Sequence, residues 1–245
     1  MSERISDSGF IPRWVRHEHQ ARYAFAARYA EGKGVLDCAC GDGTGSSIFL
    51  KAGAQRLYGF DASPEAVAKA RARCPQQAAQ FQRAEAARLP LPDQAVELYI
   101  SLETIEHVEQ DRAFLAEAAR VLKPEGIFLC STPNRTVTNP GAVLRDKPWN
   151  RFHVREYNRE EFLERLGSTF GKVELFGQNP KSPGKVRLMS GLGEILPFHG
   201  AVWVNQFLKF PALFLDRLED HAVNPWRPGT EPEYWVAVCR NPKRG

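Results

Sequence analysis

The chain reads as an α/β fold, a parallel sheet wrapped by helices on both faces, and three observations point there. Strand and helix signals alternate from residue 35 onward. The first apolar run passes into a glycine-rich turn, VLDCACGDGTG at 35–45, that opens a helix. The second ends in a lone carboxylate, Asp61, within YGFDAS. A strand, a glycine turn, a helix and a strand closing on an acid is how such a sheet holds an adenosine-bearing cofactor.

The elements follow in order. Residues 35–39 are a buried strand, 45–52 a helix and 56–60 the second strand. The helix at 64–73 has Ser63 as its N-cap and Pro64 at its first position. A weaker strand lies at 79–83 and a fourth at 96–101, before an amphipathic helix at 111–122 that ends on Lys123-Pro124-Glu125-Gly126. A fifth strand at 126–131, a helix at 159–166 and a sixth strand at 172–176 continue the alternation. The sixth is expected parallel to its neighbours, so that the long segment after it starts at the site's rim. YWVAVCR at 234–240 makes the last strand. Inside the long segment Trp203, Phe207, Phe210 and Phe214 recur at helical spacing. That stripe fits burial on the host domain, a subunit interface or an acceptor lid; an in-plane membrane contact fits least, with so few charges beside it.

Bulk properties exclude several classes. A length of 245 residues suits one domain with an insertion. A net charge of +4 with no long Lys/Arg run makes no nucleic-acid partner expected. The five cysteines are scattered, and Cys38-x-Cys40 lacks zinc-site spacing. They read as reduced packing residues of a cytoplasmic protein. There is no signal-peptide pattern and no apolar stretch long enough to be a transmembrane segment.

Gly41, Gly43 and Gly45 sit where the strand turns into the helix, and glycine reaches positive φ there without steric cost. Asp61 is placed to accept both hydroxyls of a ribose. A dinucleotide site would need G-x-G-x-x-G, but the third glycine arrives one residue early and position 46 is Ser, which weakens an NAD reading. The D-x-x-x-G-x-G spacing from Asp37 to Gly43 resembles motif I of the class I S-adenosylmethionine (SAM) methyltransferases. Glycines placed only for packing explain the turn alone equally well.

The resemblance continues downstream. AEAARLPLPDQAVE at 84–97 is similar to that family's acidic loop. It implies that Glu85 meets the adenine amino group and that Ala86 offers a backbone N–H. It also implies that Asp37, with backbone around Ala39 and Gly41, orients the methionine end. Ala62 and Ser101 are expected beside them, and Arg22 over the methionine carboxylate. Ala39 stands where the family usually has a glycine. SLETIEHV at 101–108 resembles the corresponding segment of small-molecule methyltransferases rather than of nucleic-acid amino-methylating enzymes. GFIPRW, RYAFAARY, STPNR and FHVREYNREEF resemble a bacterial subgroup associated with polysaccharide and sugar modification. The implied fold is Rossmann-like, with a seven-stranded mostly parallel sheet, its last strand antiparallel, and a helical insertion between strands six and seven. One domain would span 1–245, with an N-terminal helical cap at 1–33 and the insertion at 178–233.

His107 is the expected general base for a hydroxyl acceptor, with Glu106 beside it, because a neutral imidazole suits removal of that proton. A histidine merely bonded to local backbone is the alternative. Glu103, Glu106 and His107 stand at i, i+3 and i+4, and some ubiquinone-type O-methyltransferases are similar here and use such a cluster for Mg²⁺. Metal is the less favoured reading. Asn134, His153, Arg155 and Tyr157 are expected around the acceptor, although Arg155 with Glu156 would equally serve as a loop anchor. The acceptor is expected to be a hydroxyl of a small molecule or glycan, sugar-like first, with a phenolic or quinone-precursor hydroxyl or an amino sugar as alternatives. A non-catalytic SAM-binding protein remains a further reading, and a homo-oligomer through an aromatic helix at 200–218 is a further expectation.

Overall fold

The structure, a computed structural model, describes residues 13–139, 148, 150–182, 184, 186–188, 191 and 217–244. The strands are β1 (Gly34–Cys38), β2 (Arg56–Asp61), β3 (Ala79–Arg83), β4 (Val96–Leu102), β5 (Leu122–Pro133), β6 (Phe170–Lys181), β7 (Asn224–Pro225) and β8 (Glu231–Pro242). The helices are α1 (Arg13–Ala27), α2 (Thr44–Lys51), α3 (Pro64–Arg73), α4 (Asp111–Val121), α5 (Arg135–Thr138) and α6 (Arg159–Gly167). All strands join one sheet in the order β3-β2-β1-β4-β5-β8-β6-β7. From β3 to β5 the pairing is parallel.

The local signals act as their chemistry dictates. Ser63 Oγ accepts the Ala66 N–H at 3.2 Å and caps α3, whose first residue is Pro64. Asn158 and Glu161 exchange bonds of 2.9 and 3.1 Å across the start of α6, a capping box. The Lys123–Gly126 turn is absorbed into β5, where the register slips from Val96↔Leu122 to Leu98↔Ile127. Apolar residues fill both faces of the sheet. Phe25, Phe49, Leu57 and Val236 pack under α1–α3, while Tyr99, Phe114, Phe128 and Trp235 pack under α4 and α6. All five cysteines are free and buried. Among the described residues no helix is long and apolar enough to cross a membrane.

The sixth strand departs from expectation. It keeps the direction of β1–β5, yet its ladder partners are antiparallel, because β8 lies between it and β5. The cause is where the chain returns: Lys181 pairs with Glu231, so β8 starts at the edge where β6 ends and must run back. Both strands also extend beyond the predicted limits, and the two-residue β7 brings the sheet to eight strands. Trp203, Phe207, Phe210 and Phe214 lie outside the described residues.

The cap helix α1 lies against α2 at one glycine. A Cβ on Gly45 would stand 2.1 Å from Tyr23 Cε1, and that ring is held edge-on by Phe49 at 5.9 Å. Gly45→Ala is therefore expected to destabilise the fold by about 1–3 kcal/mol, as overpacking does, read from denaturant unfolding.

Candidate active site

The carboxyl ends of β1, β2, β3, β4 and β5 share one edge, and the order reverses between β1 and β4, where such sheets bind ligands. At the end of β1, Gly41 has φ +55° with nothing within 4 Å of a would-be Cβ, so its face is open to a ligand. Gly43, at φ +81°, serves a different need, since a Cβ there would sit 2.9 Å from Ala70 Cα on α3. Ala39 adopts φ 59° and is exposed. A non-glycine residue pays about 1–2 kcal/mol for that conformation, so the turn keeps the family's backbone shape without its glycine.

Asp61 closes this turn onto β2. Its carboxylate accepts from Gly41 N at 3.0 Å and Ser63 N at 2.9 Å, which aims it along the sheet edge. Ala84 N bonds the Asp61 carbonyl at 3.1 Å and starts the next loop beside it. There Glu85 is exposed, Ala86 is half-buried, and Ala62 receives Arg83 Nε at 3.1 Å.

Asp37 is buried beneath the turn and accepts Ser46 Oγ at 2.5 Å. The serine that departs from the dinucleotide pattern thus has a partner a glycine could not supply. Burial pushes the Asp37 carboxyl up to about 7, opposed by the Ser46 hydroxyl and reinforced by the charge of Asp61. Unfolded, it would ionise near 3.8, so the folded chain holds the extra proton between that value and about 7. Its contribution to stability therefore falls as pH rises through this window. A ligand ammonium beside Asp37 favours the ionised form. SAM affinity, followed by calorimetry, is expected to tighten as pH rises through about 7.

Arg22 of α1 is completely buried. It donates through Nη1 to Gln178 Oε1 and its guanidinium lies 4.3 Å from the Tyr234 ring centre. Burial opposes its charge, and the carboxylates of Glu103 and Glu18 sustain it. Its Nε and Nη2 have no hydrogen-bond partner, and neither does the buried Ser101 Oγ at the end of β4. Such orphaned donors at a sheet edge call for a ligand. With the open face at Gly41 and the carboxylates of Asp37 and Asp61, the residues present fit SAM.

Beyond Ser101 the chain makes a sharp turn. Glu103, at φ 52°, takes Ser131 Oγ–H at 2.7 Å, and the short 3-10 turn Ile105–His107 follows. Glu106 is fully buried; Oε2 accepts Thr132 Oγ1 at 3.1 Å, and its carbonyl holds Val154 N and Arg155 N at 2.8 and 3.2 Å. Burial, with the nearby charge of Glu103, pushes its carboxyl well up, against the pull of His153. His107 Nδ1 lies 3.0 Å from the Phe152 carbonyl, which can only accept, so this nitrogen carries a proton and, in the neutral ring, Nε2 the lone pair. The His107 and His153 rings meet edge-on at 4.8 Å.

The expected metal set is not the one assembled. A helical i, i+3, i+4 face requires helix from residue 103, whereas Glu103 is turned toward Ser131 ahead of the 3-10 turn. The donors that converge are Glu106, His107 and His153, all within 4.8 Å of one another. Two imidazoles and one carboxylate do not suit Mg²⁺, which seeks oxygen ligands.

The other expected acceptor residues have structural partners. Arg155 Nη1 and Tyr157 OH both donate to Asp111 Oδ2, at 2.6 and 2.8 Å, with Arg165 Nε at 3.1 Å. The expected Arg155–Glu156 anchor is thus an Arg155–Asp111 anchor, because Glu156 is buried and bonded to His153, Thr138 and Asn139. Asn134 Nδ2 donates to Glu231 Oε2 at 2.9 Å and to the Pro232 carbonyl at 2.8 Å, while its Oδ1 caps α5 through Thr136 N at 3.1 Å. Asp111 and Gln178 escaped sequence reasoning, as did the bonds of Glu156 to His153, Thr138 and Asn139. Only the His153-x-x-Glu156 spacing carried a signal, since the others act across long chain separations.

Comparison with known proteins points to the same fold. Residues 36–130 match the family described as "Methyltransferase domain". A probable S-adenosylmethionine-dependent methyltransferase of Mycolicibacterium smegmatis is 38% identical over 161 residues, covering 66% of this chain and 60% of that protein. A ubiquinone biosynthesis O-methyltransferase of Cereibacter sphaeroides is 32% identical over 121 residues, 49% of each chain. The chain thus spans 60% of the first relative's length and about half of the second's. In structure it resembles a SAM-dependent methyltransferase of Thermotoga maritima, with TM-score 0.60 and 17% identity over 94% of this chain and 93% of that one. The stretch that holds the glycine turn and its carboxylates, residues 36–130, thus matches a methyltransferase domain, and the chain resembles SAM-dependent methyltransferases.

Proposed function

We propose that this protein methylates a hydroxyl of a small molecule, sugar-like in character, with His107 as general base. One observation carries the reading: the Phe152 carbonyl holds His107 Nδ1–H, which leaves Nε2 as a lone pair where the chain leaves β4. When bound, SAM supplies a methyl group on a sulfonium, an already activated leaving group. The residues proposed to hold it are Asp61 at the ribose and Glu85 with Ala86 at the adenine. Asp37, Gly41 and the backbone at Ala39 serve the methionine end, Arg22 its carboxylate, and Ala62 and Ser101 flank them. What the chain would then contribute is alignment of the acceptor hydroxyl with the transferable methyl group, the sulfur leaving as the thioether of S-adenosylhomocysteine. His107 Nε2 takes the hydroxyl proton as the oxygen attacks. Burial and the charge of Glu103 push the Glu106 carboxyl upward, which lowers the negative charge it sets beside the acceptor.

Polar groups at this edge, Glu103, Glu106, His107 and His153, support an acceptor rich in hydroxyls. Asn134, Arg155 and Tyr157 then shape the surrounding loop through their bonds to Glu231 and Asp111 and the backbone bridge between Asn134 and Tyr157. A phenolic or quinone-precursor hydroxyl is the second reading, favoured by the similarity to ubiquinone biosynthesis O-methyltransferases. Incubation with labelled SAM and separate panels of sugars, phenols and amino sugars tests both. Acceptor-dependent release of S-adenosylhomocysteine with an O-methylated sugar is the expected result. Label on a phenol alone selects the second reading, and SAM binding with no transfer to any hydroxyl overturns the O-methylation proposed here.

A further inference from the structure

We propose that Glu106, His107 and His153 form a binding site for one divalent cation of the zinc or cobalt type. His153 Nδ1 lies 2.6 Å from Glu156 Oε1, which fixes one ring nitrogen on an acceptor. Asn150 Oδ1 takes the Phe152 N–H at 3.1 Å, so its Nδ2 is the group that meets His153 Nε2 at 3.0 Å. Donation from Asn150 makes that Nε2 a lone pair as well. Both imidazoles are thus held in the same form, Nδ1–H on an oxygen and the lone pair on Nε2, His107 on the Phe152 carbonyl and His153 on a buried carboxylate with its Nε2 facing Asn150 Nδ2. Metal-binding histidines are oriented by this kind of backing.

The third donor supplies an independent observation. Glu106 is fully buried, and its Oε1 has no hydrogen-bond partner. A buried oxygen left in that condition is costly, and a cation relieves it. One donor atom from each of the three side chains lies within 4.8 Å of the other two. Ligands sharing an ion at about 2.0–2.2 Å stand somewhat closer, so small rotations of the half-buried rings complete the site, with Asn150 Nδ2 leaving Nε2. The bonds from Val154 N and Arg155 N to the Glu106 carbonyl already clamp the two segments together. Two nitrogens and one carboxylate oxygen select zinc, cobalt or nickel over magnesium.

The site itself stands apart from the acceptor question, while its effect on turnover rests on the function proposed above. The ion and the acceptor proton compete for one lone pair on His107, so saturating zinc is expected to suppress methyl transfer. The deciding experiment is binding. Cobalt(II) is titrated into the full chain without SAM, followed by its visible absorption and by calorimetry. One ion per chain is expected, with affinity at least tenfold weaker in His153→Ala and about 10–100-fold weaker in Glu156→Gln. Binding is expected unchanged in Glu103→Gln, with circular dichroism confirming that each variant is folded. No saturable binding, or equal binding by wild type and a folded His153→Ala, overturns the site. An acceptor assay without S-adenosylhomocysteine release bears on the proposed function alone.

Discussion

Asp61→Ala is expected to weaken SAM binding by about tenfold to a hundredfold, the cost of losing charge-assisted hydrogen bonds to the ribose. Two losses combine. The carboxylate that would take the ribose hydroxyls disappears, and so does the bridge between Gly41 N and Ser63 N that closes the glycine turn onto β2. Asp61→Asn separates them, since an amide oxygen retains one backbone bond while the charge is gone. Calorimetry should therefore rank wild type above asparagine and asparagine above alanine. Unchanged affinity in the alanine variant would remove Asp61 from the cofactor site.

His107→Ala is expected to slow turnover roughly a hundredfold, the low end for loss of a general base, with SAM affinity unchanged. The separation follows from position. His107 bonds the Phe152 loop, whereas the groups proposed to hold SAM lie at β1, β2, the loop after β3, the end of β4 and α1. The pH profile provides a readout that a structural role would not move: with the imidazole gone, the acidic limb of kcat/KM should flatten. A variant with normal turnover and the same profile would leave His107 a loop anchor. The same substitution should also abolish cobalt binding, whereas Glu103→Gln should not, so the two assays report on separate properties of one side chain.

Much of the frame was legible because its causes are local. Periodicity of two and of 3.6 residues marked the strands and helices, Ser63-Pro64 marked the start of α3, and the glycines marked a turn needing positive φ. Legibility failed where a residue's role depends on what folds against it. Arg155 was read with its neighbour Glu156, but Asp111, 44 positions away, lies within 2.6 Å and captures it. Glu103 was read as one face of a helix, and a left-handed backbone turned it toward Ser131.

The sequence by itself determined an α/β sheet, a glycine turn ending β1 and an acid ending β2. Short-range sterics and burial patterns suffice for these, and they place the cofactor edge wherever the strands end. Only the tertiary structure decided that β8 enters between β5 and β6 and that Arg22 is buried beside Tyr234. It also brought His153, rather than Glu103, to Glu106 and His107. Those outcomes turn on loop closure and long-range packing, where the partner of each polar group is chosen by proximity in space.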